Sequence, residues 1–294
     1  MTAGEHRTRA TFWLLEAPDS LAEQSRRNPD GYGLGTFEDD GTPDIDKRPA
    51  AAYADDAFAR EARHEESTTF VAHVRYASTG GLTPENTHPF EQDGRIFAHN
   101  GHLGGLDLLE QRLGAERECV HGDTDSERFF ALITQEIRAR GGDVPAGIAA
   151  AVGWAARELP LYSINFVLAT ASDVWALRYP ATHPLRILER AVGGPSGRRH
   201  LDAASRAGTI RVRSGMLADA PAVIFASEQM DEDPNWRMLT PGELVHVDRE
   251  LNVERTLVAA EPPRHELRLE DLDTRAAHSQ RVPAAGHSGP PTRA

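Results

Sequence analysis

The sequence predicts a layered α+β domain. Short β-rich segments open the chain, amphipathic helical segments fill its middle, and β-rich segments return after them. No repeat of solenoid length interrupts that order, and no stretch approaches the ~18 uncharged apolar residues of a membrane span. The 294 residues are 39% hydrophobic, enough for one large domain or two small ones.

The elements follow in order. Phe12 to Leu15 is an apolar run that Pro18 ends; Asp19 or Ser20 then caps a helix over about 20–27. Asn28-Pro29-Asp30-Gly31 is a turn, because proline presets φ and glycine tolerates positive φ. Tyr32 to Phe37 reads as a strand and Asp39-Asp40-Gly41 as an acidic turn, with an exposed helix over 55–66. Thr68 to Ala77 is a buried strand that Gly80-Gly81 ends. A proline-containing loop spans 83–90, and Arg95 to His99 is a short strand. Leu103 to Leu113 and Ser126 to Ala139 are helical, the second capped by Thr124 or Asp125 with Glu127 in its first turn. Ala146 to Arg157 is a further helix. Ser163 to Thr170 and Val174 to Tyr179 form a hairpin around Ser172-Asp173, and strands follow at 209–213, 222–226, 243–247 and 252–258. Residues 1–262 make the domain. Residues 263–294 make a charged tail, with a helix over 264–278 and disorder over 279–294.

Composition excludes several functions. The net charge of −13 argues against phosphate-backbone binding, so no nucleic-acid partner is expected. Cys119 is the one cysteine, which rules out an intramolecular disulfide and a four-cysteine zinc site. Thirteen histidines include no zincin pair, and the acidic turn lacks EF-hand spacing, so neither a metal nor a cofactor is expected. Met1 to Ala10 holds no apolar signal-peptide core, so a cytoplasmic location without membrane attachment is the expectation.

Four segments could carry chemistry. In His73-Val74-Arg75-Tyr76-Ala77-Ser78-Thr79-Gly80-Gly81, an arginine within a buried strand needs an anion, either a carboxylate ligand or a structural acid. His99-Asn100-Gly101 offers a side-chain amide and an N–H for an oxyanion, or an ordinary turn. Gly122-Asp123-Thr124-Asp125-Ser126-Glu127 offers an acid for an ammonium group, or a helix cap. Pro29-Asp30-Gly31-Tyr32-Gly33-Leu34-Gly35 permits close backbone approach near a ligand, or a tight turn into a strand. Trp13, Trp154, Trp175 and Trp236 read as packing residues, and Cys119 as a small filler.

The order of these segments, with Asn86-Thr87-His88-Pro89-Phe90 between them, resembles the class II glutamine amidotransferases of the N-terminal-nucleophile hydrolase superfamily. Ala226-Ser227-Glu228 and Trp236-Arg237 are similar to its stand-alone branch, which includes the amidohydrolase of ergothioneine synthesis. The resemblance covers about residues 10–250. It implies a four-layer αββα sandwich and a glutamine or γ-glutamyl amide substrate, with an acceptor enzyme as a partner for the released ammonia. It implies that Arg75 holds the substrate α-carboxylate, that Ser78 assists, and that Asp125 receives the α-ammonium group. Asn100 and Gly101 would form the oxyanion hole.

The family's nucleophile is a cysteine exposed at the N-terminus, followed by an apolar strand; here Thr2 stands second and Thr2 to Arg9 does not read as a buried strand. Three explanations follow: a start lying upstream, a degenerate member that binds amino acids or regulates without cleaving, or Thr2 as the nucleophile. Cys119 has no free α-amino group and cannot substitute. The upstream start is the leading expectation.

Overall fold

The computed structural model describes residues 1–192, 201–204, 211–214 and 220–280. Its larger sheet contains β4 (Phe90–Gln92), β5 (Arg95–Leu103), β6 (Pro160–Ala169), β7 (Val174–Leu177), β13 (Glu243–Val247) and β14 (Val253–Leu257). These run in the spatial order β14-β13-β7-β6-β5-β4, with β15 (His265–Glu266) parallel to the start of β6. Helices α3 (Leu106–Leu113), α4 (Asp125–Arg138) and α5 (Val144–Glu158) cover one face.

Strand periodicity assigns the faces. On β6, Ile164, Phe166 and Leu168 alternate into the helix-side core, where Leu161 joins them; Val167 and Ala169 face the other way. On β7, Trp175 and Leu177 face the helices, while Val174 and Ala176 face the second sheet.

The second sheet comes in two halves. One is β2-β1-β3, from β1 (Gly31–Phe37), β2 (Pro43–Arg48) and β3 (Val71–Arg75); the other is β11-β8-β12, from β8 (Arg186–Arg190), β11 (Ala222–Ala226) and β12 (Arg237–Met238). A separate hairpin pairs β9 (Leu201–Ala204) with β10 (Arg211–Ser214). The outer face of β1 and β3 carries a single-turn π-helix at Phe12–Glu16, α1 (Leu21–Gln24) and α2 (Asp56–His64), with Tyr32, Leu34, Leu14 and Phe58 packed between them. Helices, sheet, sheet and helices give the four-layer αββα sandwich.

Met1–Ala3 joins the two halves. The Thr2 N–H donates to Val223 O at 2.9 Å, and the Val223 N–H returns a bond to Thr2 O at 2.8 Å. On the other side the Ala3 N–H donates to Thr68 O and the Phe70 N–H to Met1 O, each at 2.8 Å. Thr2 and Ala3 are buried. Thr2 to Arg9 forms no strand, as the sequence reads, but Thr2 makes isolated bridges to Thr69 and Val223 and Thr8 one to Ser67: small residues suffice where both neighbours supply the partners.

The glycines of β1 face inward for a different reason from ligand approach. A Cβ on Gly33 would lie 2.2 Å from the His88 carbonyl oxygen, and one on Gly35 3.0 Å from Ile96. The close approach is to the chain's own 87–96 segment. Gly33→Ala is expected to cost about 1–3 kcal/mol of stability through overpacking, measured by urea denaturation; an unchanged midpoint would contradict this packing.

Other boundaries moved. Ser20 caps α1 through the Glu23 N–H at 3.3 Å, and Thr124 caps α4 through the Glu127 N–H at 3.2 Å, both as expected. Polar β2 and short β4 escaped the hydrophobic pattern because edge positions need no apolar face. Beyond residue 262, the expected helix over 264–278 is reduced to α6 (Thr274–Ser279), preceded by β15 and one 3₁₀ turn. Ser279 and Gln280 are ordered, contrary to the disorder expected from 279 onward, and 281–294 lie outside the described residues. Of the strand expected over 209–213, residues 209 and 210 also lie outside them.

Candidate active site

A cavity of about 700 Å³ opens between the sheets, at the end where β3, β5 and β11 finish and α4 begins. Arg75, Ser78, Asn100, Gly101 and Asp125 all line it. The fold thus brings together all five residues singled out from the sequence.

Each is placed by its own element. Arg75 ends β3, opposite Gly31 of β1. Its guanidinium donates to Thr79 O at 2.7 Å and Gly81 O at 3.0 Å, so the glycine-ended loop holds it in place without neutralising it. Burial lowers its pKa, and Asp30 opposes that effect. Asp30 itself accepts the Ala77 N–H at 2.9 Å, tying the turn before β1 to the loop after β3. The buried arginine is therefore not consumed by a structural ion pair among the described residues. Ser78 follows on that loop, its N–H donating to Tyr76 O at 2.9 Å.

Asn100 and Gly101 lie within β5, which runs on to Leu103. The turn alternative for His99-Asn100-Gly101 is thereby corrected: pairing with Asn165 and Ile164 of β6 keeps the backbone extended. Alternation along β5 sends His99 toward the helices, where its Nδ1 meets Ser126 Oγ at 2.8 Å, and Asn100 toward the second sheet. There the Asn100 Nδ2 donates to Ser227 Oγ at 3.0 Å, just beyond β11. A primary amide has two N–H groups, so one remains for a ligand. Gly101 is required sterically, since a Cβ would lie 2.0 Å from the Ser163 carbonyl oxygen.

Asp125 opens α4 but does not cap it, because Thr124 does. The Asp125 carboxylate accepts the Leu103 N–H at 3.0 Å and the Ser126 N–H at 2.9 Å. Glu127 turns back to accept the His121 and Gly122 N–H groups at 3.1 and 2.7 Å. The three acids of this segment thus divide: Glu127 is structural, Asp123 accepts weakly from Asn86 at 3.5 Å, and Asp125 faces the cavity.

Buried imidazoles sit beside the cavity. The His73 and His88 rings lie 4.2 Å apart, and both His88 nitrogens lack a partner. Burial pushes His73 down to about 3 and His88 well below the ordinary histidine range. It also lowers His99, and takes His183 to about 4. Among the described residues, no group of three or more His, Cys, Asp or Glu is arranged to hold a metal ion, and no helix is long and apolar enough to cross a membrane.

Sequence reasoning assigned no role to Met1, Ser227 or Gln280, which line the same cavity. Ser227 lay in a segment that carried the resemblance but had no assigned role, Met1 and Gln280 carry no local signal, and each arrives from a distant part of the chain. Cys119 lies outside the cavity, beside Glu116 and Arg138. Trp175 packs in the helix-side core and Trp13 against Trp236, in agreement with their reading as packing residues.

The family model of the class-II glutamine amidotransferases matches residues 18–270. A protein of Escherichia coli (strain K12) named as a glutamine amidotransferase is 29% identical over 185 residues, 60% of this chain and 69% of that protein. The gamma-glutamyl-hercynylcysteine sulfoxide hydrolase of Mycolicibacterium smegmatis is 27% identical over 245 residues, 80% of this chain and 88% of that protein. The solved structure of a glutamine aminotransferase class-II domain protein from Silicibacter pomeroyi shares the fold. It superposes with a TM-score of 0.52 at 20% identity, covering 78% of this chain and 92% of that one. The chain belongs to the class-II glutamine amidotransferases.

Proposed function

We propose that the cavity binds L-glutamine or a γ-glutamyl amide and is built to hydrolyse the side-chain amide. The observation that carries this reading is the convergence of one held cation, one buried anion and a free amide N–H on a single cavity. A zwitterionic amino acid needs the first two, and a carbonyl carbon under attack needs the third. Arg75 takes the α-carboxylate with Ser78 beside it, and Asp125 takes the α-ammonium group. Asn100 Nδ2 and the Gly101 N–H take the oxyanion.

The nucleophile's place is the slot between β3 and β11. Beyond Met1–Ala3, the facing edges of β3 and β11 pair with no other strand among the described residues. With Met1 opposite Phe70, a strand continued in the same antiparallel register reaches Arg75 at its fifth added residue. Unpaired facing edges one strand apart are a template for an extended segment. The Met1 amino group supports this. It donates to Phe70 O at 2.8 Å, and burial lowers it to about 5. A peptide N–H would keep that bond with no charge to bury. An N-terminal cysteine at the fifth position would pass its thiol proton to its own α-amino group as the sulfur adds to the amide carbon. The C–N bond would break as the cysteine's own α-amino group delivers a proton to the departing ammonia. Water would then cleave the thioester to release the acid.

Thr2 is unsuited to that role. Its hydroxyl accepts the Gly4 N–H at 3.2 Å and the Thr69 hydroxyl at 3.1 Å, its N–H belongs to the Val223 ladder, and it does not line the cavity. No thiol among the described residues lines the cavity, which favours binding without turnover for residues 1–294.

Calorimetric titration with L-glutamine tests the site. Arg75→Ala is expected to weaken binding by about 2–5 kcal/mol, roughly 30-fold or more, because the carboxylate loses its charged partner in a buried setting. Equal affinity for the folded variant would remove Arg75 from the site.

A further inference from the structure

The far end of the chain returns to the cavity. Asp273 caps α6, accepting the Arg275 and Ala276 N–H groups at 2.8 and 2.9 Å. Ala276 is buried, and the His278 ring packs tilted against Tyr76 with centroids 4.8 Å apart. Gln280 then drops into the cavity and is only 4% exposed. Its Nε2 donates to Gly101 O at 3.2 Å, between residues that line the proposed amino-acid site.

We infer that Asp273–Gln280 is a displaceable plug, and that the Gln280 carboxamide competes with the substrate's own nitrogen for this end of the cavity. The inference rests on reading the site as an amino-acid site. Two features make the plug displaceable rather than a fixed wall. The buried Gln280 Oε1 makes no hydrogen bond of good geometry, so the carboxamide is held through its nitrogen alone. The helix behind it has six residues, too few to be stable without its contacts. A substrate offering an ammonium group to Asp125 and the Gly101 carbonyl makes charge-assisted bonds where the Gln280 Nε2 makes only neutral ones, to Gly101 O and to Ser279 Oγ at 3.1 Å. Substrate and plug therefore exclude each other.

The competition lowers apparent affinity by the fraction of molecules that are open. In the full chain, Gln280→Ala is expected to bind L-glutamine about 10-fold more tightly than the parent by calorimetry. Equal affinity of parent and variant overturns the plug and leaves the site reading intact. Absence of binding by both overturns the site reading, and the competition with it. Hydrogen exchange gives a second, ligand-free measurement. Ala276–Gln280 amides are expected to be protected in the parent and to lose protection in Gln280→Ala. Amides that already exchange at the free rate in the parent overturn the plug whatever the calorimetry gives.

Discussion

A chain extended ahead of Met1 by an N-terminal cysteine and four aliphatic residues is expected to hydrolyse L-glutamine, whereas residues 1–294 alone should show no turnover above background. The slot between β3 and β11 sets the length: five residues in the Met1 register bring the N-terminus level with Arg75. Aliphatic residues suit the four intervening positions because Phe70, Ala72, Val74 and Ile224 line the adjoining cavity. Pairing with β3 as far as Arg75, and with β11 as far as Ala226 opposite the second added residue, fixes the strand that carries the thiol, which an untethered thiol could not achieve. The gain should be on the order of 10⁴-fold or more over the same extension bearing serine or alanine first, the scale at which removing a nucleophile disables hydrolases. Arg75→Ala within the active extended chain should abolish most of it. A well-folded extended protein that stays inert, while still binding glutamine, would establish the site as a binding module.

Acidification from pH 7.5 to pH 5 is expected to lower the unfolding free energy by several kcal/mol. Burial holds His73 near 3 and His183 near 4, with His88 and His99 also lowered. In the unfolded chain all four titrate near 6.5. The sign follows from proton counts. Between the unfolded value and the depressed folded values, the unfolded chain binds more protons, so stability is full above about 6.5 and is lost as pH falls toward 4. Each histidine can contribute at most about 1.4 kcal/mol per pH unit in that window. Glu61 opposes them, because burial and its hydrogen bond with Asp46 raise it to about 8, and burial raises Glu65, Glu228 and Asp231 in the same sense, while the buried Met1 amino group, lowered to about 5, acts with the histidines. Urea denaturation at the two pH values measures the difference. His88→Phe should flatten the slope at little cost at pH 7.5, because neither His88 nitrogen has a partner and Phe90 packs 4.6 Å from its ring. Identical stability at both pH values would refute the burial of neutral imidazoles.

Local chemistry made much of the site legible. Arg75 stood out because a charge inside an apolar strand demands an explanation, and Thr124 and Asp125 because cap residues cluster before a helix. Only the fold separated the roles of neighbours: Thr124 caps, Asp125 faces the cavity and Glu127 closes the 121–122 turn. The glycines of β1 were recognised as sites of close approach, but what approaches them, the His88 carbonyl and Ile96, lies more than 50 residues away. Gln280 was unreadable, since a polar residue in a Pro- and Arg-rich tail looks solvated until its burial against Gly101 is seen.

The sequence by itself determined the α+β class and the main helices and strands, and its resemblance to the amidotransferases picked out the five residues that meet in the cavity. Periodicity, capping and turn chemistry act over a few residues, so they can be read without knowing the partners. The tertiary structure alone decided how the second sheet is completed. Thr2 links Thr69, just ahead of β3, to Val223 of β11 across 67 and 221 positions of chain, and its neighbours Met1 and Ala3 bond to Phe70 and Thr68 of the same segment. The slot beyond them exists only because two distant strand edges face each other. Strand edges are satisfied by whatever chain arrives beside them, and that is a property of the assembled sheet, not of any one segment.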